Sequence, residues 1–262
     1  MSNELTLITG NAIGSLLSTP LVGLSTAMNQ YINSNKININ FTNYSNSALF
    51  YMRYIPAAII SASALSFYVS SPILQSLGMD NKLSDSVALG SIGPILSPLY
   101  ARQEAGITLV SLKNMSQCKA LNILKGNSNN NFWIAPGTKY TFYRNSVSLG
   151  IGGALAADGG EFVSKYVIPK NLNCNYPISS LVVTNGLIGC MAGYISGIFE
   201  YCRISSVLAH YNKEKFSFNK HVYKLIKEKP ITPFLILRSS HIGFFYMSFA
   251  IGQILSRDYI FS

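Results

Sequence analysis

In a chain of 262 residues only 11% are charged and 48% are hydrophobic, with a mean hydropathy of +0.26. Ordinary soluble proteins carry roughly 25% charged residues, so this composition argues against a water-coated globule and for a membrane solvent. The net charge of +10 raises nucleic acid as a partner, but no zinc-finger spacing or aromatic RNA-binding signature accompanies it, and none is implied.

The predicted elements follow the gaps between charges. No Asp, Glu, Lys or Arg occurs from Leu5 to Asn35, Tyr54 to Met79, Ser86 to Ala101, Asn171 to Phe199 or Ser239 to Ser256. A sixth stretch, Tyr140 to Tyr166, is interrupted by Arg144, Asp158, Glu161 and Lys165. A bilayer core takes roughly 20 mostly apolar residues to span, and all these runs reach or approach that length except the third, which needs its neighbours. The sequence therefore predicts an all-α membrane protein of six transmembrane helices. Their Ser, Gly, Asn and Thr content suits helices that face one another or a wet cavity better than lipid.

Ahead of the first run, MSNELTLITG carries Glu4 and no basic region, which is neither a secretory signal nor an Arg-rich transit peptide. Sixteen of the twenty basic residues fall in or beside the segments that join an odd span to the next even one. This bias places both termini on the face opposite the basic loops, where those loops meet anionic lipid head groups. Cys118, Cys174, Cys190 and Cys202 show no paired spacing, and His210, His221 and His241 never stand at i and i+4 with a carboxylate. Neither a disulfide framework nor a metal site is predicted. With no nucleophile elbow or phosphate loop either, no catalytic role is expected.

Arg53, Arg144 and Arg238 each head an even span and stand 91 and 94 residues apart. That period divides the chain into thirds, residues 1–83, 84–172 and 173–262, each holding an odd span, a basic loop and an Arg-headed even span. The odd spans carry small residues at close-packing intervals: Gly10 with Gly14, Gly90 near Gly93, and Gly189, Gly193 and Gly197. Pro20 and Pro98 sit late in their apolar runs and should kink them.

Three two-span repeats, Ser- or Thr-Pro late in the odd helix and an Arg-headed even helix resemble the mitochondrial carrier family. The likeness is closest in MRYIPAAIISASALSFY, YRNSVSLGIGG and LRSSHIGFFY, with ILKGN similar to the basic-Gly step before an even helix. The resemblance implies six tilted helices about a pseudo-threefold axis in the mitochondrial inner membrane, with both termini toward the intermembrane space. It also implies anion contacts at Arg53, at Arg238 and near Lys139 and Tyr140, and no cofactor beyond bound cardiolipin or another anionic phospholipid.

The family's Pro-x-acid-x-x-base signature, which closes the matrix side with three ion pairs, is eroded. Pro20 is followed by Val22 and Ser25, and Pro98 by Tyr100 and Gln103, with Arg102 one place early. Only Glu200 and Arg203 keep a pair. On the opposite side, Ser66, Val69, Ala250 and Gln253 stand where acids and bases are expected, while Asp158, Glu161 and Lys165 resemble a displaced remnant. The expectation is a carrier fold that has lost transport and serves as a structural or accessory subunit of a respiratory-chain or ATP-synthase assembly. The alternative is a working antiporter of a small anion, a nucleotide or a carboxylate.

Overall fold

The computed structural model describes residues 3–34, 37, 41–113, 115–126, 135–152, 177–219, 222–223, 227 and 231–260, and among them no strand occurs. Helix α1 (Asn3–Leu17) meets α2 (Val22–Ser34) at a bend of 43°. The bend falls at Thr19–Leu21, where Pro20 supplies no N–H to the ladder. The Ser18 hydroxyl bonds the Ser15 carbonyl there at 2.7 Å and the Tyr51 hydroxyl at 2.8 Å. Pro98 stands in the first turn of α6 (Ser97–Lys113), just after a break that separates it from α5 (Asn81–Ile95).

Helix α3 (Phe41–Leu65) passes through a wide turn at Ser66–Ser70 into α4 (Ser71–Ser76). Helix α7 (Gln117–Gly126) lies against α6, and α8 (Thr138–Asn145) runs into a second wide turn at Ser146–Ile151. The long helices α9 (Pro177–Tyr211) and α10 (Ile231–Leu255) complete the described elements, with a third wide turn at Ser256–Ile260.

Among the described residues three helices, Phe41–Ser76, Ile178–Tyr211 and Ile231–Ile260, are long and apolar enough to cross a membrane, and the bent pair α1 and α2 makes a fourth if it is one span. The six equivalent spans expected from the charge gaps are thus not all visible by length and hydropathy. The broken α5–α6 segment carries Lys82, Asp85, Arg102 and Glu104, and α8 is short. Much of the predicted fourth span, including Asp158, Glu161 and Lys165, lies outside the described residues, as does Cys174.

Contacts nevertheless run round a closed ring. The α1 helix packs on α3, α3 and α4 on α5 and α6, these on α8 and its wide turn, α8 on α9, α9 on α10, and α10 back on α1. Glycine makes the tightest of these approaches possible. A Cβ on Gly14 would stand 2.7 Å from the Phe249 Cα, and one on Gly193 2.8 Å from the Arg238 carbonyl oxygen. Both values are closer than real side chains come, so the odd-helix glycines foreseen for close packing act as backbone contact surfaces.

At one end of the ring α2, α6 and α9 converge. Two apolar clusters seal that end. One gathers Met28, Tyr31, Ile204, Phe234 and Leu235 between α2, α9 and α10, and the other gathers Phe50, Leu109, Val110 and Leu124 between α3, α6 and α7. The sealed end is the floor of a central cavity of about 840 Å³, which opens toward the ends marked by Asp85 and Arg257.

Candidate functional site

The floor is organised by one polar stripe on α6. Ser97, Glu104, Thr108 and Ser111 recur at intervals of seven, four and three residues, which places them on one helical face. Each reaches a different neighbour. The Asn145 side-chain amide of α8 donates to the Ser97 hydroxyl at 3.0 Å, and Arg144 Nη2 donates to Glu104 Oε1 at 2.6 Å. Arg203 Nη1 of α9 donates to the Thr108 hydroxyl at 3.2 Å, and the Asn29 amide of α2 donates to the Ser111 hydroxyl at 2.8 Å.

Glu200 is the second carboxylate of the floor, 2% exposed. It accepts Arg144 Nη1 at 3.0 Å on one oxygen, and Arg203 grips both its oxygens at 2.9 and 2.8 Å in a fork. A planar guanidinium is matched to a carboxylate in this way, and such charge-assisted bonds are about twice as strong as neutral ones. The result is a chain of alternating sign, Glu104–Arg144–Glu200–Arg203, that ties α6, α8 and α9 together. Burial makes the pairing obligatory, because an uncompensated charge in such surroundings costs several kcal/mol.

Arg238 stands apart. It is 3% exposed and lines the cavity, yet among the described residues no carboxylate lies within ion-pair distance of it. Its Nη1 donates to His241 Nδ1 at 3.2 Å. A guanidinium can only donate, so Nδ1 accepts and the neutral imidazole carries its proton on Nε2. Arg238 Nε, also buried, has no hydrogen-bond partner among the described residues.

The residues that the sequence nominates are distributed unevenly. Arg238 lines the cavity, whereas Arg53 is exposed and lies over the Tyr54 ring at 5.5 Å. Lys139 is exposed beside the Tyr143 ring at 5.8 Å, and Tyr140 packs on Phe216 and Phe218 below the floor. Glu200 and Arg203 are both in the floor network, while Arg102 is half-buried outside the cavity lining.

Sequence reasoning missed Glu104 and the part played by Arg144. The signal for Glu104 was present in the helical spacing of Glu104, Thr108 and Ser111, polar residues on one face just beyond the charge-free run that ends at Ala101. The eroded floor expected from a single surviving pair is corrected by these two residues, since the pair belongs to a network of four.

Compared with family models, curated proteins and solved structures, the chain matches none.

Proposed function

We propose that this protein is a multi-pass membrane carrier in which six helical segments surround a cavity that binds a small anion and exchanges it across the membrane. One observation carries the reading: a buried arginine, Arg238, faces the cavity without a carboxylate partner among the described residues. A charge of this kind is costly in a low-dielectric interior and is held where a ligand of opposite sign completes it. The closed ring of contacts and the converging odd helices fit the carrier-like architecture. The volume of about 840 Å³ suits a small organic solute.

The charge bias of the loops favours an orientation with both termini on the face opposite the basic segments. The mitochondrial inner-membrane address rests on the family resemblance. Purified protein in liposomes should exchange labelled carboxylates or phosphates, and Arg238→Ala should reduce exchange at least about tenfold by removing a charge-assisted contact. Absence of exchange with any anion in well-folded protein would overturn the reading.

A second reading keeps the fold without the transport cycle, as a structural or accessory subunit of a respiratory-chain or ATP-synthase assembly. It is favoured by the end of the ring opposite the floor, where Gln253 bonds Asn11 at 3.2 Å and Ser66 bonds the Ala88 carbonyl at 3.4 Å in place of ion pairs. Co-purification at fixed stoichiometry with a large complex, together with silence in the exchange assay, selects this reading over the first.

A further inference from the structure

The cavity floor holds two buried polar atoms of opposite kind with no hydrogen-bond partner among the described residues: the donor Arg238 Nε and the acceptor Glu104 Oε2. Both side chains line the same cavity, and Arg238 lies within electrostatic range of Glu104 and Glu200. Glu104 Oε2 is 3.9 Å from Arg203 Nε, close enough for attraction and too far for a hydrogen bond. Buried donors and acceptors are rarely left unmatched, and orphans of this kind mark positions that a ligand or ordered solvent completes.

The charge count narrows what could complete them. Among the described residues three arginines, Arg144, Arg203 and Arg238, meet two glutamates, Glu104 and Glu200, so these floor groups carry one positive charge in excess. The other charged groups of the lining stand toward the mouth, where Asp85 accepts the Ser71 hydroxyl at 2.5 Å and Arg257 pairs with Asp258 at 2.6 Å. One negative charge on a ligand balances the floor. Two would leave it in deficit, and an added ammonium would restore the excess.

We infer that the ligand is a hydroxy-monocarboxylate, its carboxylate held by Arg238 Nε and the His241 Nε2 proton and its hydroxyl donated to Glu104 Oε2. The inference rests on the anion-exchange reading and refines it. A carboxylate supplies the acceptor that Arg238 lacks, a neutral hydroxyl supplies the donor that Glu104 lacks, and the charges cancel. Arg144 and Arg203 are already engaged by the glutamates and need no ligand.

The test is exchange in liposomes with matched acids, lactate against propionate and 3-hydroxybutyrate against butyrate, with alanine and malonate as charge controls. In at least one matched pair the hydroxy acid should half-saturate exchange at a concentration about tenfold or more below its partner, the loss expected when a hydrogen bond to a charged group is deleted. Alanine and malonate should be weaker than lactate. In Glu104→Ala, which disturbs the floor for every anion alike, the ratio of half-saturation between each hydroxy acid and its plain partner should fall to about one.

Equal affinities within both pairs, with exchange intact, overturn the hydroxyl contact and leave the anion carrier standing. A preference for alanine or malonate overturns the charge argument. A preference that survives Glu104→Ala removes Glu104 as the acceptor. Failure of every anion to exchange defeats the carrier reading and this inference with it. The matched pairs need only the unaltered protein, so the inference is decided even where Glu104→Ala does not fold.

Discussion

The two ends of the ring are fastened by different chemistry. At the floor, alternating charges on α6, α8 and α9 meet at 2.6 to 3.0 Å. At the mouth the same task falls to neutral groups. Asn11 of α1 bonds Ser63 of α3 at 2.9 Å and accepts the Gln253 amide of α10, while Ser256 reaches the Thr6 carbonyl at 2.8 Å. A neutral hydrogen bond contributes about 1 kcal/mol net, whereas breaking a buried ion pair by removing one partner costs about 3–5 kcal/mol. The difference teaches that the ends are not interchangeable latches. On the proposed carrier reading the floor-closed shape is the ground state, and a cycle through a floor-open shape needs a ligand that repays part of the lost ionic contact.

The largest effect should come from the group at the centre of the floor. Glu200→Ala removes the carboxylate that Arg144 and Arg203 share and leaves two buried guanidiniums to one remaining glutamate, Glu104. The expected cost is about 3–5 kcal/mol, read as a fall in the thermal midpoint of about 10 °C for protein in detergent. An unchanged midpoint would mean that the floor charges are solvated and that the contrast between the ends is not energetic.

A second prediction probes the mouth through backbone approach instead of charge. A Cβ on Gly252 would stand 2.5 Å from the Gly14 nitrogen and lie against the Gly10 carbonyl as well, so Gly252→Val must push α1 and α10 apart. Overpacking of this kind costs about 1–3 kcal/mol. Gly23→Ala is the control, because its nearest neighbours, ring atoms of Tyr44, are at 3.5 and 3.7 Å. Thermal unfolding should separate the two variants, and equal midpoints would show that the α1–α10 seam yields freely.

What could be read in advance depended on distance along the chain. The packing glycines, the Pro20 bend and the Glu200–Arg203 pair are local features, visible as spacings of a few residues within one helix. The floor network is not local. Arg144 finds Glu104 across 40 residues and Glu200 across 56, and no periodicity within a single element announces such a meeting. Nor did the regular spacing of Arg53, Arg144 and Arg238 fix where they point. Each residue turns a helix by about 100°, so a repeat aligned one residue out exchanges the cavity for the outer face. Arg144 and Arg238 face inward, and Arg53 does not.

The smallest effect is expected where the mouth is held by amides. Gln253→Ala deletes one neutral bond of 3.2 Å, and Asn11, which loses a donor to its carbonyl oxygen, keeps Ser63 through its amide. Both Asn11 and Gln253 line the cavity, so an unmet amide oxygen there has access to solvent and escapes the full penalty of burial. The cost should therefore be about 0.5–1.5 kcal/mol, a shift of a few degrees in the thermal midpoint. Asn11→Ala, which strips both bonds from the same cluster, should cost more than Gln253→Ala and still less than Glu200→Ala. If either mouth variant equalled Glu200→Ala in the same detergent, the neutral end would be as tightly fastened as the ionic one, and the floor-closed shape would lose its claim to be the ground state.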